Sequence, residues 1–417
     1  LADITSDRWV STTHRPMGFR EFVVLIAAIM ALNPLAMDMM LPALPLIGRA
    51  FHVTGANHLQ TVLSTFLLGF GVGQFFIGPL SDRFGRRPVL IGGMIVYGVA
   101  SMLTLIAPSF ETLLLARALQ GLSTAATRVI ATSVVRDCYA GRRMASVMSL
   151  AQMIFISVPV LAPSLGQAVM LASHEWHSVF AVLLLFGVAV LAWTALRLPE
   201  TLDEDKRTSL AVRDVLGYFR ETLTNRQTLG YALAAGCIVG TMFAYVFSAQ
   251  QVFTEVYKLG TYFPVAFAAI ALGVAIAGFV NARIVGRLGM RVISHTALCG
   301  FITASLAMLV FAWFDALPLP LYMALATMTM FTFGLMISNF TALAMEPLGH
   351  IAGTASSLFG SITTLIGIVM GSVIGQAYDG TMLPLTTGFF ACTLIALVIV
   401  LVTERGRMFR PSRQAGA

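Results

Sequence analysis

Apolar residues run along this chain in blocks of about twenty or more, long enough for helices that cross a bilayer, and short polar segments separate the blocks. Reading them in order predicts twelve spans, near residues 22–47, 59–80, 88–107, 111–134, 146–171, 178–196, 229–253, 264–285, 293–313, 319–345, 352–377 and 384–402. An even count puts both chain ends on one side of the membrane. The longest polar break divides the pattern into a tail over 1–21, a six-helix bundle over 22–198, a linker over 199–228, a second six-helix bundle over 229–403 and a tail over 404–417. Inside the linker, Val212, Val215, Leu216, Phe219 and Leu223 recur with helical spacing opposite Arg213, Asp214, Arg220 and Glu221, behind candidate caps at Thr208 and Ser209. That pattern predicts an amphipathic helix lying on the membrane surface and tethering the two halves. The expected fold class is all-α and integral to the membrane.

Composition supports lipid as the solvent. Of 417 residues, 58% are hydrophobic and only 11% charged, too few charges to keep a soluble domain of this size in water. The formal charge of +7 does not point to nucleic acid once its distribution is followed. Of 26 Lys and Arg residues, only Arg49 and Lys258 fall in one set of alternating connections, and only Arg117 and Arg128 fall inside spans away from their inner ends, Arg283 lying at the inner end of its span. The other 22 collect on the opposite side, which the positive-inside rule makes cytoplasmic, with both termini. Cys138, Cys237, Cys299 and Cys392 lack CxxC spacing, so they read as packing residues, and no disulfide framework or metal site is indicated. The opening segment has no signal-peptide pattern, and its start without Met reads as a trimmed one.

Candidate chemistry begins with Asp38, a carboxylate in the first span. A charge near the centre of a spanning helix costs about 2.5–3.5 kcal/mol even on lenient scales and is functional by default. The plainer alternative is an acid paired inside the bundle for packing. Met30, Asn33, Pro34, Met37, Asp38 and Leu41 share one helical face, a stripe suited to line a cavity, and Pro34, Pro42 and Pro45 predict a bent, locally opened helix. In the fourth span Arg117, Gln120, Thr124 and Arg128 form a second polar stripe. At 1.5 Å per residue, Asp38 lies about 24 Å and Arg117 about 21 Å from the inner face, so Arg117 is the expected partner of the acid. Arg128, roughly 16 Å deeper, either snorkels to the inner surface or lines an inner vestibule. The second span carries Gly69, Gly71, Gly73 and Gly78, which favour close helix contacts, and the fifth carries Pro159, Pro163 and Gly166 on nearly one face, which predicts a kink. The second half offers no intramembrane acid or base. Its polar groups are Tyr245, Gln250, Gln251, Asn281, Ser338, Asn339 and Gln376; of these Tyr245, Gln250 and Asn339 are the candidate cavity residues, though any amide here also suits helix-to-helix bonding.

Between the second and third spans, GPLSDRFGRRPVL compresses Asp82, Arg83, Arg86 and Arg87 into a tight charged turn at Gly85, which RLGMR over 287–291 echoes between spans eight and nine. This string resembles the loop between helices two and three of the major facilitator superfamily, G-x-L-x-D-R-x-G-R-R-x-x-L. The resemblance implies two pseudo-symmetric six-helix bundles, with Asp82 capping a helix of the other half in one state and the arginines latching the inner gate. The L-x-x-x-R-x-x-Q-G pattern at Leu113 to Gly121 is similar to the family's proton-transfer motif and selects Arg117 over Arg128, while Ala162 to Gln167 resembles a degenerate antiporter motif. Through ALNPLAMDMMLPALP, VVRD and LPETL the chain most resembles the bicyclomycin-resistance and chloramphenicol-efflux branch of drug:proton antiporters. What this implies is a monomeric, cofactor-free exporter of the bacterial inner membrane that exchanges lipophilic cationic or neutral drugs for protons by alternating access. A proton-coupled exporter or symporter of a metabolite, such as an amino acid or siderophore, is the competing expectation on the same fold. An enzyme is not expected: the seven histidines fall mostly in loops or at span ends. A nucleotide-driven pump would need a phosphate-binding G-x-x-x-x-G-K-[ST] loop, which the chain lacks.

Overall fold

Lipid cannot hydrogen-bond a backbone, so every spanning segment must satisfy its own amides, and helices do so. The computed structural model describes residues 17–53, 55–139, 141–203 and 212–409, and among them it forms helices without a strand. The first half comprises α1 (Phe19–Asp38), the short α2 (Leu44–Ala50), α3 (Thr61–Phe84), α4 (Arg86–Leu105), α5 (Phe110–Cys138), α6 (Gly141–Ser173) and α7 (His177–Arg197). After α8 (Val212–Thr224) the second half comprises α9 (Arg226–Gln251), α10 (Phe263–Leu288), α11 (Met290–Trp313), α12 (Leu319–Met345), α13 (Ala352–Gln376) and α14 (Leu383–Thr403). Setting α2 and α8 aside, the remaining long helices follow the twelve predicted spans in order. Among the described residues, ten candidate spans are long and apolar enough to cross a membrane. Neither α5, diluted by its polar stripe, nor α6, whose apolar part is Ser157–Ser173, is among them.

The three early prolines act as their chemistry requires. Pro34 lies inside α1, which stops at Asp38; Pro42 then opens a 3-10 turn over Leu41–Ala43, and Pro45 sits in the first turn of α2. Small residues set the closest helix approaches. A Cβ on Gly69 would stand 1.9 Å from the Ala118 carbonyl oxygen, and one on Gly121 would stand 1.7 Å from that of Phe66, so α3 and α5 cross backbone to backbone.

Between the halves, α3 meets α13 and α6 meets α10. Helix α8 packs on α13 and α9 while its Phe219 ring lies 6.5 Å from that of Phe75 on α3, so it ties both halves together at one end. Its expected caps, Thr208 and Ser209, lie outside the described residues, as do the tail over 1–16 and the side chains of Val212, Val215 and Leu216. Gly85 (φ 98°) and Gly289 (φ 82°) take the same positive-φ conformation just before α4 and α11, so the echo of RFGRR in RLGMR is an echo in backbone geometry. Of the cysteines, Cys138, Cys237 and Cys392 are buried as packing residues, whereas Cys299 is exposed, which corrects the expectation for that one.

Candidate functional site

Asp38 is the last residue of α1, 4% exposed, at the end where the helix dipole is negative and cannot help a carboxylate. Its Oδ1 is buried without a hydrogen-bond partner among the described residues. The acid lines a cavity of about 280 Å³ between the halves, together with Arg128 of α5 and Pro159 of α6. The rest of the lining comes from the second half and is almost wholly apolar, including Met242, Tyr245, Phe267, Met330 and Phe333, with Ser338 adding a hydroxyl. Tyr245 stacks on Phe267 at 5.1 Å and 16°, and its hydroxyl donates to the Phe267 carbonyl at 3.3 Å. The site is thus lopsided: one half supplies charge, the other a flat oily wall.

The expected pairing of Asp38 with Arg117 is not formed; no ion pair joins them among the described residues. Arg117 is fully buried and donates to the Ala36 carbonyl at 3.0 Å, to Gln120 Oε1 at 2.5 Å and, at 3.4 Å, to the Val62 carbonyl. Its guanidinium also lies 4.4 Å from the Phe66 ring centroid and 5.8 Å from that of Phe180. The depth estimate is sound, since Ala36 is within a turn of Asp38. Two residues along a helix, however, are about 200° apart around it, so Arg117 grips the back of α1 while Asp38 faces the cavity. Arg128, three turns further along α5, is the base that shares the cavity wall with the acid.

Of the other candidate cavity residues, Tyr245 lines this cavity and the rest do not. Met30 and Met37 are buried in packing, and Asn33 donates to Thr124 Oγ1 at 3.2 Å. Gln120 is spent on Arg117 and on Ser101 Oγ, 2.8 Å away. Gln250 bonds Thr254 at 3.1 Å, and Asn339 bonds Asn281 Oδ1 and the Leu335 carbonyl, both at 2.7 Å, leaving its neighbour Ser338 at the wall. Periodicity alone did not single out Phe267, Phe333, Met242 and Met330, because an apolar residue facing a cavity reads the same as one facing lipid.

At the arginine-rich end, Arg86 pairs with Asp82 and with Asp137, the latter at 3.0 Å. Glu200 caps α4: its Oε1 accepts from the Arg86 and Leu202 amides at 2.9 and 3.0 Å, and its Oε2 from the Arg87 amide at 3.2 Å. Asp82 therefore bonds within its own half here and caps no helix of the other half among the described residues, while the cap of α4 is Glu200, known from the sequence only as part of LPETL. A Cβ on Gly85 would stand 2.4 Å from Glu200 Oε2, so that glycine is needed for the carboxylate to dock. Arg87 donates to the Ala195 carbonyl at 2.7 Å, and the exposed Arg83 lies over the Phe84 ring. Pro159 and Pro163 sit inside α6, and Gly166 abuts the Met39 carbonyl, which seats α6 on the turn that follows Asp38.

The second half has its own cluster at this end, where Glu404 accepts from the Tyr231 hydroxyl at 2.7 Å and from Arg291 Nε at 2.9 Å. Burial pushes the Glu404 carboxyl up, but the bonds from Tyr231 and Arg291 outweigh it and hold the group below the ordinary carboxylate range. No group of three or more His, Cys, Asp or Glu placed to hold a metal occurs among the described residues.

Comparison with known proteins agrees with this architecture. The chain is 30% identical over 386 residues to an uncharacterized MFS-type transporter, YdgK, of Bacillus subtilis, covering 92% of this chain and 95% of that one. It is 28% identical over 381 residues to a bicyclomycin resistance protein homolog of Haemophilus influenzae, covering 90% and 94%. The crystal structure of a D-xylose-proton symporter superposes with a TM-score of 0.70 at 12% identity, over 93% of this chain and 99% of that one, a likeness of fold. The model of the Major Facilitator Superfamily matches residues 26–372, and the chain therefore belongs to that superfamily of multi-pass membrane transporters, which are not enzymes.

Proposed function

We propose that the protein is a secondary active multidrug exporter that exchanges lipophilic, cationic or neutral drugs for protons, with Asp38 as the proton carrier. The observation that carries this reading is the buried Asp38 carboxylate in the wall of an otherwise oily cavity between the halves. A change of state that alters its solvation or its distance from a cation changes its proton affinity. Drug that prefers the deprotonated state then competes with the proton, and each proton moving inward releases about 2.3 kcal/mol per 100 mV. The wall of Met242, Tyr245, Phe267, Met330 and Phe333 suits an aromatic or aliphatic body, and Asp38 suits a cationic or hydrogen-bonding head. The bicyclomycin-resistance name of one relative points the same way.

Arg117 acts through the backbone of α1, holding the helix end that carries Asp38. Asp82, Arg83, Gly85, Arg86 and Arg87 form the inner gate, and Pro159, Pro163 and Gly166 let α6 bend beside the cavity. In this reading the protein spans the bacterial inner membrane as a monomer with both termini in the cytoplasm, an orientation that the distribution of Lys and Arg supports. The test is transport in proteoliposomes under an imposed pH gradient, against a panel of cationic, neutral and zwitterionic compounds. Gradient-driven accumulation of lipophilic drugs supports the proposal; uptake confined to a polar metabolite, or flux indifferent to the gradient, refutes it.

A further inference from the structure

At the end of the bundle remote from the arginine-rich loops, the halves are joined by uncharged amides. Gln60, buried just before α3, donates to Gln251 Oε1 at 2.6 Å and to the Gly375 carbonyl at 3.1 Å. Gln251, the last residue of α9, donates to Asn57 Oδ1 at 3.0 Å. Asn57 in turn donates to the Gln376 and Tyr378 carbonyls at 2.9 and 2.8 Å, and Gln376 donates to the Asn57 carbonyl at 2.9 Å. These six bonds tie the entrance to α3, in the first half, to the ends of α9 and α13, in the second. The other hydrogen bonds between the bundles among the described residues involve Gln74, and no ion pair joins the bundles among those residues.

Two further features belong to the same place. A Cβ on Gly375 would stand 2.0 Å from Gln60 Oε1, so the contact closes only because that position is glycine. Directly after Gln251, α9 continues as a π-helical turn over Val252–Val256, a geometry that concentrates at functional sites.

We infer that Asn57, Gln60, Gln251 and Gln376 form the gate of this face, an amide clasp that is shut in this structure and must part for the cavity to open there. The inference rests on the reading of the protein as an alternating-access transporter, but not on its cargo or on the proton. Neutral amides suit a gate that cycles: on opening they exchange protein partners for water at small net cost, whereas buried ion pairs left unpaired would be expensive.

The test is access to a reporter thiol. Met242→Cys, in the cavity wall, is placed in a variant whose four native cysteines are Ser, in membrane vesicles of known sidedness, and labelled with a membrane-impermeant maleimide from the clasp side. Because labelling follows the fraction of molecules open on that side, Gln60→Ala and Gly375→Ala should each speed it about tenfold, and labelling from the opposite side should slow. Gln376→Ala, which removes only an exposed side chain, should speed it by a smaller factor and stands in if Gly375→Ala does not fold. Unchanged labelling from the clasp side in variants of normal melting temperature overturns the inference. Faster labelling in a protein that proves to carry no drug leaves the clasp standing and removes the drug-export reading, so the two failures are distinguishable.

Discussion

Substituting Gly121 by Ala adds one methyl group at the tightest point of the first half. That Cβ would stand 1.7 Å from the Phe66 carbonyl oxygen, and side-chain carbons essentially never come closer than 3.0 Å to such an atom, so α3 and α5 must part by about 1.3 Å. Overpacking of this kind costs about 1–3 kcal/mol. The same displacement breaks the bond from Arg117 to the Val62 carbonyl, already 3.4 Å long, and a hydrogen bond to a charged group is worth about 1.5–3 kcal/mol. Ala returns about 1 kcal/mol of helix propensity, which leaves a net loss of about 1.5–5 kcal/mol. The assay is the melting temperature of the purified protein in detergent, read by tryptophan fluorescence. Gly92→Ala and Gly98→Ala are the controls: a Cβ at either position meets nothing within 4 Å, so propensity alone should leave these variants as stable as the parent or slightly more so. Gly121→Ala melting with the parent, or Gly92→Ala falling as far, would refute the claim that backbone contact sets the α3–α5 crossing.

The remaining predictions concern single side chains. Glu200→Ala removes the acceptor for the amides at the start of α4 and should lower stability by about 2–4 kcal/mol, with Glu200→Gln recovering part of it, as thermal melts would measure. Glu404 is held below its ordinary range in the folded state, so the stability it contributes is complete at neutral pH and is lost as pH falls through and below the usual carboxylate range. Melting temperature should therefore drop more steeply in acid for the parent than for Glu404→Gln, which lacks that contribution at every pH. Tyr245→Phe keeps the ring stacked on Phe267 and should change the KM of an aromatic substrate little, whereas Tyr245→Ala removes the ring and should raise it about tenfold.

Much of the architecture was legible because lipid imposes a strict rule. Twenty apolar residues and a satisfied backbone leave little besides a helix. Asp38 was legible because a carboxylate in such a segment is costly. What a one-dimensional reading lacks is azimuth: the rise per residue put Arg117 level with Asp38, but nothing in the spacing said that the two face opposite sides of α1. The cavity wall was hidden for a related reason, since Phe267 and Phe333 lie in apolar runs where lipid-facing and cavity-facing rings look alike. Asn57 and Gln60 were missed because each sits singly near a loop, and their importance comes only from partners more than 190 positions away. Glu200 was visible as part of a motif, yet its role as the cap of α4 depends on a 114-residue return of the chain.

The most direct measurement is drug-induced proton release from the purified protein and from its Asp38→Asn variant, at the same pH and in the same detergent. The parent should release protons on binding a transported drug, while the folded variant, assayed at a drug concentration raised until it is saturated, should release none and should fail to concentrate drug against a pH gradient. Proton release of equal size from both proteins would contradict the assignment of Asp38 as the proton carrier.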